Sequence, residues 1–145
     1  MGERELNPQA ERLVAAAPPL LDEESFAAAV RQLLRDFTDD NHLRSTPLWQ
    51  TRLGQQLGSS GENPADSLRQ LVWQIVEPLQ HSPRQAKLYH ALYHTYLRPA
   101  ATQEQAAELL DLPFSTYRRH LREGVAYLVK HLWQMNAIPI GREHV

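Results

Sequence analysis

Four helix openings are spelled out along this chain, and together they point to an all-α fold. Thr46-Pro47, Asn63-Pro64 and Ser82-Pro83 each set a capping residue before a proline at the first helical position, where the missing N–H costs nothing. Ser82 to Gln85 completes a capping box, and so does Thr102 to Gln105, which starts a helix at Gln103. A further helix is expected from near Asp22, with Glu23 and Glu24 favouring the dipole in its first turn. Between these signals the apolar residues recur at helical spacing. Phe26, Val30, Leu33, Leu34 and Phe37 form one stripe, and Leu48, Trp49, Leu53 and Leu57 a second. Leu68, Leu71, Val72, Ile75 and Val76 form a third, and Leu88, Ala91, Leu92, Tyr96 and Leu97 a fourth. Asp39-Asp40-Asn41, Gly58, Pro78 and Pro99 are read as stops. No period-two alternation is present, so strands are not expected.

The expected division is a leader over 1–21, an acidic helical domain over 22–80, a helix-turn-helix over 81–135 and a tail over 136–145. The Gly58–Asn63 stretch reads as a flexible loop. With no cysteine, disulfides and thiolate chemistry are excluded. No apolar run approaches the roughly 20 residues of a membrane helix, and the opening Met1-Gly2-Glu3-Arg4-Glu5 does not look like a secretory signal. A soluble cytoplasmic protein without a membrane partner is the expectation.

Charge divides the chain. Residues 1–80 carry seven basic against twelve acidic side chains, a balance of −5. Residues 81–145 carry eight against five, a balance of +3, together with six of the seven histidines. The second half is therefore the one suited to phosphates, with a modest surplus that limits the affinity of a single copy.

Within that half, Ala106, Ala107, Leu109 and Leu110 follow the Thr102 start. The two alanines permit a close crossing with a second helix. Leu112 is expected to plug the core under a turn, and Pro113 disfavours helical geometry at the residue before it. Ser115 is read as the cap of the next helix, opened by Thr116. Tyr117, Leu121, Val125, Leu128 and Leu132 then fall at i, i+4, i+8, i+11 and i+15, a buried seam. Arg118, Arg119 and Arg122 lie off that seam near the helix start.

On these residues Ser82–Trp133 resembles the fourth region of bacterial sigma factors and similar helix-turn-helix modules of bacterial regulators. The resemblance rests on Thr102, Glu104, Ala106, Ala107, Leu110, Ser115-Thr116-Tyr117 and Leu121. Tyr96-Leu97-Arg98-Pro99, Thr102-Gln103-Glu104 and Leu112 to Leu121 also look like carboxyl-terminal domains of larger bacterial ATP-binding regulatory proteins. The chain departs from the sigma-like pattern at Asp111, where glycine is usual, and at Glu123, where a basic residue is common. Residues 22–80 carry no sigma core-binding pattern.

The resemblance implies a helical bundle containing a helix-turn-helix with a long carboxyl-terminal recognition helix. It also implies a transcriptional regulator that binds double-stranded DNA in the major groove. The expected DNA-binding residues are Thr102, Gln103, Ser115, Thr116, Arg118, Arg119 and Arg122. Arginine can bridge two acceptors on guanine, and hydroxyls at a helix start can hold phosphates. The reading requires those guanidinium groups to project from an exposed helix end. The competing reading is a non-enzymatic adaptor, in which the acidic half docks on a partner and the helix pair is scaffold. A protein partner through residues 22–80 and a homodimer stay open, because the helix beyond Gly124 has apolar surface to spare.

No catalytic residue, cofactor or metal is expected. His90 and His94 have the spacing of a two-histidine metal site but lack a third ligand in the pattern. Ser59, Ser60 and Ser67 lack a patterned base. Tyr89, Tyr93, Tyr96, Tyr117, Tyr127 and Trp133 could stack bases, but their helical spacing favours packing, as it does for Trp49 and Trp73.

Overall fold

Asp22 accepts a hydrogen bond from the Ser25 amide at 2.7 Å, and the first helix starts there. A computed structural model describes residues 21–59, 61 and 63–137. Its elements are helical throughout, with no strand among the described residues. Seven α-helices run in order: α1 (Glu23–Arg35), α2 (Asp40–Arg44), α3 (Arg52–Gly58), α4 (Pro64–Val76), α5 (Ala86–Leu92), α6 (Gln103–Leu109) and α7 (Phe114–Ala137). Tight 3₁₀ turns at Pro47–Gln50 and Glu77–His81 and a π-helical turn at Tyr93–Leu97 lie between them. The leader expected over 1–21 lies outside the described residues apart from Leu21, as do Ser60 and Glu62 of the Gly58–Asn63 loop and the tail beyond Ala137.

Local capping accounts for most of the boundaries. Asn63 takes the Ala65 and Asp66 amides, and Thr102 takes that of Gln105 at 3.0 Å. Two boundaries differ from expectation. Ser82 does not cap α5 with its side chain. Its carbonyl takes the amides of Gln85 and Ala86, and α5 opens at Ala86 after a turn. The single helix expected from Pro47 is split, because Thr51 interrupts the 3₁₀ turn in an extended conformation and caps α3 through the Gly54 amide. The acidic stop after α1 also hides a short element, α2, capped by Asp39 through His42.

One buried cluster unites elements from both halves of the sequence. Phe26, Val30, Leu33 and Leu34 of α1, Leu68 and Val72 of α4, and Leu88, Ala91 and Leu92 of α5 join Tyr117, Leu128 and Leu132 of α7. The edge of Trp133 meets Phe26 with ring centres 5.2 Å apart. Asn136 is buried, and its Oδ1 accepts from the Leu53 amide at 3.0 Å. α7 runs to Ala137, and this Asn136 bond ties its last turn to the start of α3. The apolar surface of α7 beyond Gly124 is met by residues 22–80 of the same chain. Arg69 braces the acidic side, bonding the Phe37 carbonyl at 2.7 Å and pairing with Asp66 and Asp40.

Two backbone hydrogen bonds close the end of α6. The Leu112 amide reaches back to the Ala107 carbonyl and the Asp111 amide to that of Glu108, both at 3.0 Å. Asp111 takes the left-handed conformation between them, with φ +57°. This is the glycine-type helix termination, built here on an aspartate. Glycine carries no Cβ penalty in that region. Asp111→Gly is expected to stabilise the fold by about 0.5–1 kcal/mol, raising the midpoint of urea unfolding without changing its slope. A lowered midpoint would show that the aspartate side chain contributes something the backbone geometry does not reveal.

Candidate nucleic-acid interface

The first three turns of α7 present the basic cluster. Its inward face carries Tyr117, His120, Leu121 and Gly124, all buried. Arg118, Arg119 and Arg122 fall on the outward face and are exposed. None lies within 4.0 Å of a carboxylate among the described residues, so their charge is open to solvent. Arg118 is steadied from below by Phe114, whose ring centre is 5.7 Å from the guanidinium carbon, a contact worth about 0.5–1 kcal/mol at an exposed site.

Ser115 does not cap this helix. The Tyr117 amide bonds to the Pro113 carbonyl at 3.0 Å, which sets the helix start at Phe114 and places Ser115 in the first turn. Proline cannot extend the preceding helix but fits at this boundary, so the helix starts two residues before the expected Thr116. Ser115 is exposed and Thr116 half-buried. Thr102 and Gln103, at the start of α6, are exposed. The Thr102 hydroxyl oxygen is engaged as the cap of α6, leaving its proton free to donate. These two line a cavity of about 440 Å³ with Arg35, His94 and Tyr96, whereas Arg122 lines a different one, along α1. The five α7 residues thus share one helix start, and the two α6 residues open on a separate recess.

Two structurally constrained positions beside the cluster carried no sequence signal. A Cβ on Gly124 would lie 3.0 Å from the Leu92 side chain and 3.3 Å from the Leu88 carbonyl, so this glycine lets α7 cross close to α5. His120 is the other. Burial depresses its pKa, the charges of Lys87 and Arg119 lower it further, and Glu123 opposes them. Its Nδ1 is buried without a hydrogen-bond partner. No pattern marked it, since it sits one position off the apolar seam. A histidine that resists protonation in the fold leaves stability unaffected above its unfolded pKa of about 6.5 and lowers it as pH falls below that value. Unfolding midpoints are accordingly expected to drop from pH 7 towards pH 5, with a shallower drop in His120→Leu. An identical slope in the variant would remove His120 as the cause.

His90 is exposed, and His94 is half-buried with its pKa lowered by burial and by the charge of His90. No group of three metal-binding side chains occurs among the described residues. Tyr89 and Tyr117 are buried, the latter with its hydroxyl on Thr95, and the half-buried Trp73 meets Tyr93 edge-on. The exposed large apolar side chains are Leu109 and Phe114, which flank the α6–α7 break.

No protein-family model, curated protein or solved structure matches the chain.

Proposed function

We propose that residues 81–135 form a helix-turn-helix that binds double-stranded DNA, with α7 as the recognition helix and the protein acting in transcription regulation. The observation that carries this reading is the open cluster of Arg118, Arg119 and Arg122 on the first turns of a 24-residue helix, free of carboxylate partners among the described residues. Helix-turn-helix proteins insert that part of the second helix into the major groove. The close α6–α7 turn, with Ala106 and Ala107 buried beneath it, fits the same use. Ser115 and Thr116 stand beside the arginines with hydroxyls suited to phosphate oxygens.

Anisotropy titration of a labelled random duplex across a salt series tests the reading. Binding is expected to weaken linearly in log–log form, with a slope reaching about −3 when each arginine neutralises one phosphate. Binding that is absent at low salt, or indifferent to salt, contradicts it.

One observation favours a second reading, a protein-interaction adaptor. Leu109 is 66 % exposed and Phe114 38 % exposed at the same tip, and aromatic and aliphatic anchors beside arginine are a common composition for protein interfaces. Under that reading, Leu109→Ser would disrupt a protein complex while leaving duplex binding untouched.

A further inference from the structure

Alongside the arginine cluster runs a groove between α1 and α7 with a volume of about 650 Å³, within the range of small-molecule sites. Its floor is apolar, formed by Leu121, Val125 and Val129 at successive turns of α7. Four cations surround that floor, Arg31, Arg35, Arg122 and Lys130, against a single carboxylate, Glu23. None of the four is ion-paired among the described residues. Arg35 is held in place without being neutralised: Gln32 Oε1 accepts from its Nε and Nη2, and Gln32 in turn donates to Asp36.

The arrangement has two distinct ends. Phe26 meets Trp133, so the start of α1 lies beside the later turns of α7 and its end beside the earlier ones. Arg35, Arg122 and Tyr96 therefore gather at one end, while Val125 and Val129 lead away from them. From Leu121 to Val129 the floor extends about 12 Å at a helix's rise per residue. Leu121 is buried and the two valines half-buried, so the apolar surface left along this floor is a limited strip rather than a broad patch.

We infer that this groove binds a single-chain amphiphile with an anionic head, the head between Arg35 and Arg122 and the chain along Val125 and Val129, and that its occupancy opposes DNA binding. Guanidinium groups suit carboxylate and phosphate heads through paired N–H donors. Arg122 belongs both to this groove and to the proposed DNA-facing cluster, so a head bound to it withdraws one cation from the duplex. That consequence rests on the DNA reading. The ligand site does not.

Dodecanoate is the probe, measured by calorimetry on the full chain, with dodecanol as the uncharged control and acetate as the chainless one. Saturable one-to-one binding of dodecanoate is expected, with acetate not binding. Arg35→Ala and replacement by dodecanol should each weaken binding about tenfold, and Val129→Trp should abolish it by filling the groove. Duplex affinity should fall when dodecanoate saturates the wild type and stay constant for Val129→Trp. Dodecanoate bound equally by wild type, Arg35→Ala and Val129→Trp overturns the inference, because it is then acting as a detergent. So does self-association in sedimentation that Val129→Trp breaks, which would assign the groove to a second copy. If calorimetry succeeds and no duplex binds under any condition, the site stands and its proposed link to DNA falls.

Discussion

Replacing Arg118 and Arg119 together by alanine is expected to weaken duplex binding by about 3 kcal/mol, on the order of a hundredfold, at moderate salt. Both side chains are exposed and neither forms an ion pair among the described residues, so their removal leaves the core intact. The structural cost is confined to the Arg118–Phe114 contact, and the thermal midpoint should shift little. The variant also separates roles. An arginine on phosphate contributes to the salt slope, while one on a guanine edge contributes to sequence preference. Losing affinity with the slope unchanged would assign the pair to bases, and a slope shallower by about 1 for each residue would assign it to the backbone. Unchanged affinity would exclude this helix face from the interface.

The second large effect concerns the fold. Gly54→Ala is expected to destabilise the protein by about 3 kcal/mol or more, a fall in thermal midpoint of roughly 10 °C. A Cβ at Gly54 would overlap the Leu48 carbonyl oxygen and sit 2.5 Å from the Trp49 Cα. Those atoms are backbone and cannot rotate away. They are also held from the other side, since the Leu48 carbonyl accepts from the buried Thr51 hydroxyl at 2.6 Å and Trp49 Nε1 donates to the Leu43 carbonyl at 2.7 Å. Thermal unfolding of the variant measures the effect. A midpoint within about 2 °C of the wild type would mean that the 3₁₀ turn yields more easily than its hydrogen bonds imply.

Gly54 also illustrates what a sequence can and cannot disclose here. Thr46, Asn63 and Thr102 were legible as caps because each bonds an amide within three residues of itself. The α7 seam was legible because Tyr117, Leu121, Leu128 and Leu132 repeat at the helical period. Ser115 misled because the start of α7 was settled by Pro113, whose carbonyl takes the Tyr117 amide before a serine cap could act. Ser82 misled for a related reason, since the preceding 3₁₀ turn runs to His81 and the chain must turn before a helix can begin. Interactions distant in sequence left no local trace. The Asn136–Leu53 bond spans 83 residues and Arg69 reaches the Phe37 carbonyl across 32. The burial of His120 and the close approach at Gly124 depend likewise on where α5 passes, which no spacing within α7 encodes.

The candidate site shows the same division. The three arginines could be placed from helical periodicity, and they stand where that placed them, exposed on the outer face of α7. The cation-rimmed groove could not, because half of its wall belongs to α1, about ninety residues earlier in the chain. Even the supporting ring under Arg118 is local, four residues back on the same helix, whereas the groove exists only once the core has assembled.

The most direct test of the DNA-facing assignment is a residue-resolved map of amide chemical shifts during titration with a short duplex. The largest changes are expected at Ser115 to Glu123, smaller ones at Thr102 and Gln103, and none on α2 to α4. Changes centred on α2 to α4, or spread evenly over the molecule with α7 unaffected, would contradict that assignment.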